Sequence, residues 1–339
     1  MLTDARVLQE DFVPADVVHR HEEVNRLSAA LDPLVDGGRA DDAFLFGPTG
    51  VGKTCVARYT LSRLERELLD VRIQYVNCWR DNTRFRLLYR LLEGVGETLD
   101  VHRGSTPHDV LLERLRSADD CPYVVVLDEV DQLEGRDVLY DLHALPHVSM
   151  LLVSNHEAEL FAGMDDRINS RFKGGPRVRF DRYSTDELTA ILQRRVEQGL
   201  TPDALTDAQL RHVADAAAGD ARVGLTILRT AVRTAARAGD ERITDRVLDD
   251  AVENARPTLR QQTLENLTDD QRICYEIVRE RDGVSPGDLY EAYCERTADP
   301  RSRRMVRNYL SKLEHYDLVR AEGQKRAKQY VATDLSLAE

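Results

Sequence analysis

The chain has 339 residues, 42% of them hydrophobic, and a formal net charge of −13. This length predicts two or three domains with buried cores; the composition excludes wholesale disorder, and no apolar run approaches the length of a membrane span. The acidic total argues against a uniformly basic nucleic-acid binder, yet it leaves the placement of local basic patches open.

The first expected strand, Ala43 to Phe46, runs directly into Gly47-Pro48-Thr49-Gly50-Val51-Gly52-Lys53-Thr54, followed by the helix-prone Cys55-Val56-Ala57. This is a complete phosphate-binding loop. Its glycines let backbone N–H groups turn inward around a β-phosphate, Lys53 adds a positive charge, and the Thr54 hydroxyl suits Mg²⁺. A second strand, Val71 to Asn77, precedes a stretch in which Arg80, Arg84, Arg86 and Arg90 outnumber the single Asp81. Within that stretch Phe85, Leu88, Tyr89 and Leu92 mark an apolar helix face.

The run Tyr123 to Leu127 reads as a buried parallel strand that delivers Asp128 and Glu129 at its C-terminal end, where ligands of open α/β sheets bind. About seventy residues after a phosphate loop, this is a Walker B motif. Asp128 is expected in the Mg²⁺ shell, and Glu129 is expected to orient or deprotonate an attacking water. His143 and His147 have the i,i+4 spacing of helical zinc ligands, but Pro146 between them should end a helix, so no metal site is expected there. The strand Val148 to Ser154 ends in Asn155, a neutral group suited to a γ-phosphate or a water, and Arg177 to Phe180 is the last strand expected.

Strands alternating with amphipathic helices over residues 1–182 predict an α/β domain with a parallel sheet covered on both faces. Capping boxes at Ser184-Thr185-Asp186-Glu187 and Thr206-Asp207-Ala208-Gln209 open a small helical domain over 183–258, expected to end near Pro257. Gly219-Asp220-Ala221-Arg222 sets an arginine in the first turn of one of its helices. A third block, 262–339, begins with the cap Thr268-Asp269-Asp270-Gln271 and continues through the cap–proline pairs Ser285-Pro286 and Asp299-Pro300. Closing on the hairpin-like Leu318 to Thr333, it has the pattern of a winged helix. On the helix opened by Asp299-Pro300, Val306, Leu310 and Leu313 share one face, and Arg304, Arg307, Asn308 and Ser311 the other. Nine Lys and Arg stand against four Asp and Glu between Asp299 and Tyr330, with Lys325, Arg326 and Lys328 at the hairpin tip. Such a local reversal in an acidic chain points to a polyanion.

Only five basic residues are lysine, and this acidic, arginine-rich composition suits a high-salt cytoplasm. Cys55, Cys78, Cys121, Cys274 and Cys294 show no paired spacing and read as reduced. The segment Met1-Leu2-Thr3-Asp4-Ala5 lacks the basic and apolar regions of a signal peptide, so a cytoplasmic, membrane-free location is expected.

The order of these motifs resembles that of AAA+ ATPases. The resemblance implies that Asn155 is sensor 1, that Arg222 is sensor 2, and that either Arg167 or Arg171 is an arginine finger reaching a neighbouring subunit's γ-phosphate. Four places are more specific: Asp11-Phe12-Val13-Pro14 with His19-Arg20-His21-Glu22-Glu23; Asn77-Cys78-Trp79 with Thr83-Arg84-Phe85-Arg86-Leu87-Leu88; Tyr183 with Glu187-Leu188 and Arg195; and Gly219-Asp220-Ala221-Arg222. With the terminal winged helix they resemble the archaeal replication initiator family, related to the origin recognition complex and the cell division control loading factor. The resemblance implies ATP or ADP with Mg²⁺ as ligands, held by Gly47 to Cys55, with Val13, Pro14, Tyr183 and Arg195 beside the adenosine. It also implies a helix bearing Arg84 and Arg86 that grips the DNA minor groove. The implied partners are double-stranded origin DNA, the replicative helicase and other initiator copies, with hydrolysis as a slow switch. The hairpin tip departs from the family in having a single glycine, which puts its minor-groove geometry in question. A branch-migration or clamp-loading motor, or an ATP-regulated winged-helix transcription regulator, is the alternative reading.

Overall fold

Tyr123–Asp128 is too apolar to expose either face, and it becomes an interior strand of a five-stranded parallel sheet. The computed structural model describes the chain except residues 69, 103–105, 119–120, 163, 165, 173, 266, 282, 298–299, 317, 324–327 and 334–339, and the side chains of 159, 162, 166–168, 256, 258, 262, 265 and 315. It divides into two units, Met1–Leu248 and Asp249–Glu339. In chain order the α/β part of the first unit comprises α1 (His21–Leu31), β1 (Ala43–Phe46), α2 (Lys53–Glu67), β2 (Arg72–Asn77), α3 (Arg84–Val95), α4 (His108–Arg116), β3 (Tyr123–Asp128), α5 (Asp137–His143), β4 (Val148–Ser154), α6 (Glu157–Ala162), α7 (Asp166–Phe172) and β5 (Arg177–Arg179).

The strands lie in the order β2-β3-β4-β1-β5, all parallel. Their period of two divides the side chains between two cores. Phe44, Phe46, Tyr123, Val125, Leu127, Met150 and Leu152 pack with the apolar residues of α3, α4 and α5, whereas Ala43, Leu45, Val124, Val126, Leu151 and Val153 pack with those of α1 and α2. Because β4 lies between β1 and β3, the register sets Phe46 beside Ser154 and Asp128 beside Val153. The segments leaving these three strands therefore emerge side by side at one edge of the sheet. On α3 the buried face is Leu87, Leu88, Leu91 and Leu92. Tyr89, expected in that face, is only half-buried and stacks on Phe85, because the leucines complete the stripe one position away.

Three helices follow β5: α8 (Thr185–Gly199), α9 (Asp207–Ala216) and α10 (Ala221–Ala238). Both expected capping boxes form, and Asp220 caps α10 by accepting from the amides of Arg222 and Val223. Next comes α11 (Asp245–Glu265), which continues through Pro257 rather than ending there. A proline removes one backbone hydrogen bond and crowds the preceding turn, but here helix on both sides carries the chain past it. The second unit holds α12 (Asp269–Glu280), α13 (Pro286–Arg296), α14 (Arg303–His315) and an antiparallel pair, β6 (Val319–Glu322) and β7 (Gln329–Ala332). The start of α14 corrects the expectation of a cap at Asp299-Pro300. Ser302 is the cap, its extended backbone presenting the hydroxyl to the amide of Met305. Among the described residues, no helix is long and apolar enough to cross a membrane.

Leu127 is fully buried between β2, β4 and the helices above them. Leu127→Ala is expected to lower unfolding free energy by about 2–5 kcal/mol in urea titrations, the range for a leucine whose cavity cannot collapse.

Candidate functional site

The phosphate loop leaves β1 and turns into α2, whose N-cap is Gly52 with no side chain capping the first turn. Its uncapped amides and the helix dipole favour an anion. Two glycines are required by what stands over them. Gly50 has φ +74° and a Cβ there would lie 1.8 Å from Asp220 Oδ1, while Gly52 has φ +91° and a Cβ would lie 2.6 Å from the Tyr183 hydroxyl. The Ala221 amide also donates to the Gly50 carbonyl at 3.0 Å. The loop is thus in direct contact with the start of α10 and with the residue that leads into α8.

Lys53, only 8% exposed, donates from Nζ to the carbonyls of Gly47 (2.6 Å) and Pro48 (2.7 Å) and to Asn155 Oδ1 (2.8 Å). Burial pulls its pKa from 10.5 to about 8; Arg222 lowers it further, and Asp128, Glu129 and Asp131 oppose the shift. Thr54 Oγ1 donates to Asp128 Oδ2 at 2.8 Å. Burial raises the Asp128 pKa, against the Thr54 hydrogen bond and the Lys53 charge. A hydroxyl and a carboxylate this close at the loop form an oxygen donor pair that fits a hard divalent cation. Glu129 adopts a left-handed backbone, φ 55° and ψ 44°, and its amide donates to Asp128 Oδ1 at 3.0 Å. Such a conformation is uncommon away from glycine and turns the chain sharply, so that consecutive carboxylates both border one cavity.

That cavity, of about 390 Å³, is lined by the loop from Thr49 to Cys55, by Asp128, Glu129 and Asn155, and by Val13, Pro14, Tyr183, Arg195 and Arg222. Residues predicted from distant stretches of sequence are therefore brought together here. Arg167 and Arg171 are not among its lining residues. The Arg171 guanidinium lies over the Tyr140 ring at 5.0 Å, and the Arg167 side chain lies outside the described residues. Arg20 carries no role in the sequence reading beyond its place in a motif, yet it is buried and structural. It donates to Glu23 (2.7 Å) and to the Asp181 carbonyl (2.5 Å), and its guanidinium stands 4.2 Å from the Tyr183 ring centroid. It thereby secures the segment joining β5 to α8. Asp220 is the other residue missed: its motif offered an arginine for attention, while its carboxylate is what meets the loop.

Elsewhere, Arg84 pairs with Asp141 at 2.7 Å, Arg86 donates to the Arg80 carbonyl at 3.2 Å, and Arg90 bridges Asp81 and Glu93. On α14, Arg304, Arg307 and Ser311 are exposed and Asn308 is half-buried, opposite the buried Val306, Leu310 and Leu313. Lys328 Nζ sits 4.7 Å from the Tyr330 ring centroid and 3.8 Å from Glu314. Lys325 and Arg326 lie outside the described residues. His143 ends its helix and places Nδ1 2.5 Å from Asp42 Oδ2, so its ring is engaged with a carboxylate rather than aligned with His147.

A family model described as an AAA domain matches residues 40–170, which include the loop and both carboxylates, and one described as a Cdc6 AAA+ ATPase-type lid domain matches 189–255. Fold and cavity are those of an AAA+ nucleotide-binding protein with a Cdc6-type lid formed by the helices after β5. More closely, the chain belongs to the family of ORC1-type DNA replication proteins. It is 50% identical to ORC1-type DNA replication protein 1 of Halobacterium salinarum over 91% of this chain and 100% of that one. It is 47% identical to ORC1-type DNA replication protein 9 of the same organism over 98% and 94%. The solved structure of the Aeropyrum pernix ORC1 protein in complex with DNA matches with a TM-score of 0.76 at 26% identity, over 98% of this chain and 94% of that one.

The depressed Lys53 pKa gives phosphate binding a pH signature. A phosphate anion favours the ammonium and lifts its pKa, so between about 8 and its ordinary 10.5 binding draws in a proton, whereas below about 7 the proton is already present. Affinity for ADP is therefore expected to be level near pH 7 and to fall as pH rises past 8. Calorimetry at pH 9 in buffers of different ionisation enthalpy should show proton uptake; a heat independent of buffer would contradict it.

Proposed function

We propose that this chain is an ATP-controlled DNA-binding initiator that marks a replication origin and helps recruit or load the replicative helicase, acting in the cytoplasm. The observation that carries this reading is the convergence of Lys53, Thr54, Asp128, Glu129, Asn155 and Arg222 on one cavity beside a Cdc6-type lid, in an acidic chain whose α14 exposes Arg304 and Arg307. The ORC1-type names of its relatives and the DNA-bound structure of a similar protein support it.

In this reading the loop amides and the Lys53 ammonium hold the phosphates, Asn155 orients the γ-phosphate or a water, and Arg222 brings charge from the lid. Thr54 and Asp128 would hold Mg²⁺, which when bound supplies charge neutralisation on the phosphates. Glu129 accepts the proton of the attacking water or aligns it. Val13, Pro14 and Tyr183 border the adenosine, and Arg167 or Arg171 reaches a neighbouring initiator copy. Hydrolysis is slow because its purpose is to time the change of state of the lid. The third block is read as a winged helix, with α14 as the major-groove reader, since Arg suits guanine and Asn suits adenine edges. The α3 region, with Arg84 and Arg86, contacts the minor groove.

Lys53→Ala is expected to abolish nucleotide binding, whereas Glu129→Gln keeps ATP bound and unhydrolysed; equal loss of binding in both would overturn these roles. Turnover should stay well below the roughly 1–100 s⁻¹ of kinases with or without DNA, and rapid DNA-stimulated hydrolysis would favour a motor. Arg307→Ala should cost about 1–3 kcal/mol of specific binding and relax preference at particular base pairs. Titrations on specific and scrambled duplexes across salt decide this: an unchanged specificity ratio would exclude α14 as the reader. Genome-wide mapping of bound sites tests the whole assignment, with clustering at a replication start expected.

A further inference from the structure

The first twelve residues precede the α/β domain in sequence but are built onto the lid. Leu2 forms an antiparallel bridge with Leu200, the amides of Thr3 and Asp4 donate to the Gly199 carbonyl at 2.8 and 3.1 Å, and the Thr201 amide donates to the Met1 carbonyl at 2.7 Å. A turn of 3₁₀ helix, Ala5–Leu8, then packs on α8 and α10 with Val7 and Leu8 buried. Gly199 permits this approach, for a Cβ there would stand 2.0 Å from Val7 Cγ2 and 2.8 Å from the Asp4 carbonyl oxygen.

Arg195 of α8 completes the attachment. Its guanidinium donates to the carbonyl of Val7 at 3.0 Å and of Phe12 at 3.2 Å, and lies 4.8 Å from the Phe12 ring centroid. The side chain is buried, so its fork is anchored by backbone oxygens and a ring. Arg229 of α10 adds a longer pairing with Glu10 at 3.9 Å. Towards the α/β domain, the polar ties of these twelve residues amount, among the described residues, to one 3.4 Å bond from Arg58 to the Asp11 carbonyl. Immediately beyond Phe12, the residues Val13, Pro14, Asp16, Val17 and Val18 line the cavity that also holds the phosphate loop.

We propose that residues 1–18 form a strap carried by the lid, that this strap supplies the wall against the nucleotide's base, and that Arg195 is the positioning residue clamping it in place. The phosphates are then gripped by the α/β domain and the base by a segment that travels with the lid. One bound nucleotide thereby spans the two parts and senses the angle between them. The proposal rests on the nucleotide reading above and adds how the base side of that cavity is built.

The test compares ADP with inorganic pyrophosphate, which engages the loop alone, in calorimetric titrations of the full chain. Arg195→Ala and Gly199→Val are expected to weaken ADP binding by roughly tenfold or more while changing pyrophosphate binding by less than about twofold, and to narrow the preference for ADP over GDP. Gly199 is not a lining residue of the cavity, so its effect can arrive only through the strap. Arg195→Lys should fall between, because a single ammonium cannot fork two carbonyls. Hydrogen exchange at Thr3 and Asp4 should quicken in both stronger variants; Arg195→Lys and Gly199→Ala carry the test if those variants fail to fold. ADP affinity unchanged in folded variants, or ADP and pyrophosphate falling together, would overturn the strap while leaving nucleotide binding intact. A native chain binding neither ligand would overturn the nucleotide reading itself, and the strap with it.

Discussion

A buried ammonium organises the first unit. Removing Lys53 from water costs several kcal/mol unless its three N–H donors find oxygens, and they find the carbonyls of Gly47 and Pro48 and the Asn155 amide oxygen. These oxygens belong to segments leaving β1 and β4, so the arrangement requires those strands to be neighbours in register, as they are. β3, on the other side of β4, adds Asp128, whose carboxylate both attracts Lys53 and holds the Thr54 hydroxyl. Sheet order, loop conformation and charge pairing are therefore one constraint seen at three scales.

The lid is joined to this constraint by backbone rather than by long side chains. A hydrogen bond from Ala221 to Gly50, the Asp220 carboxylate packed on the Gly50 Cα, and the Tyr183 hydroxyl over Gly52 leave no space in which the loop could move unnoticed. Arg20 stiffens the same junction from α1 by stacking on Tyr183 and accepting no competing partner role at the surface. Close backbone contact suits a switch, because small displacements at a packed interface must be accommodated by shifting whole elements.

Charge placement distinguishes the two basic helices. The arginines of α3 are largely neutralised by Asp81, Glu93 and Asp141 within the protein, so the positive count of that stretch overstates the field it offers to a polyanion. On α14 the apolar stripe is buried and Arg304 and Arg307 remain exposed, opposite that stripe. A chain of net −13 repels DNA at long range, and salt screens that repulsion within about a Debye length, leaving short-range contacts from such a face to dominate.

Much of this was legible in the sequence because the signals are local. Glycine spacing before Lys53, an apolar run ending in Asp128-Glu129, and cap residues three positions ahead of Glu187 and Gln209 each report a backbone geometry confined to a few residues. Three errors mark where local rules lost to their surroundings: α11 passes through Pro257, α14 starts at Ser302 rather than at a cap–proline pair, and α3 buries Leu87 and Leu91 in place of Tyr89. What only the tertiary structure decided are the meetings of residues far apart in the chain. Asp220 against Gly50, Arg20 against Tyr183, and Arg195 on the carbonyls of Val7 and Phe12 join segments up to 188 residues apart. No periodicity records such pairs, because a side chain's choice of a distant backbone oxygen is set by packing once the chain has folded, not by its neighbours in sequence.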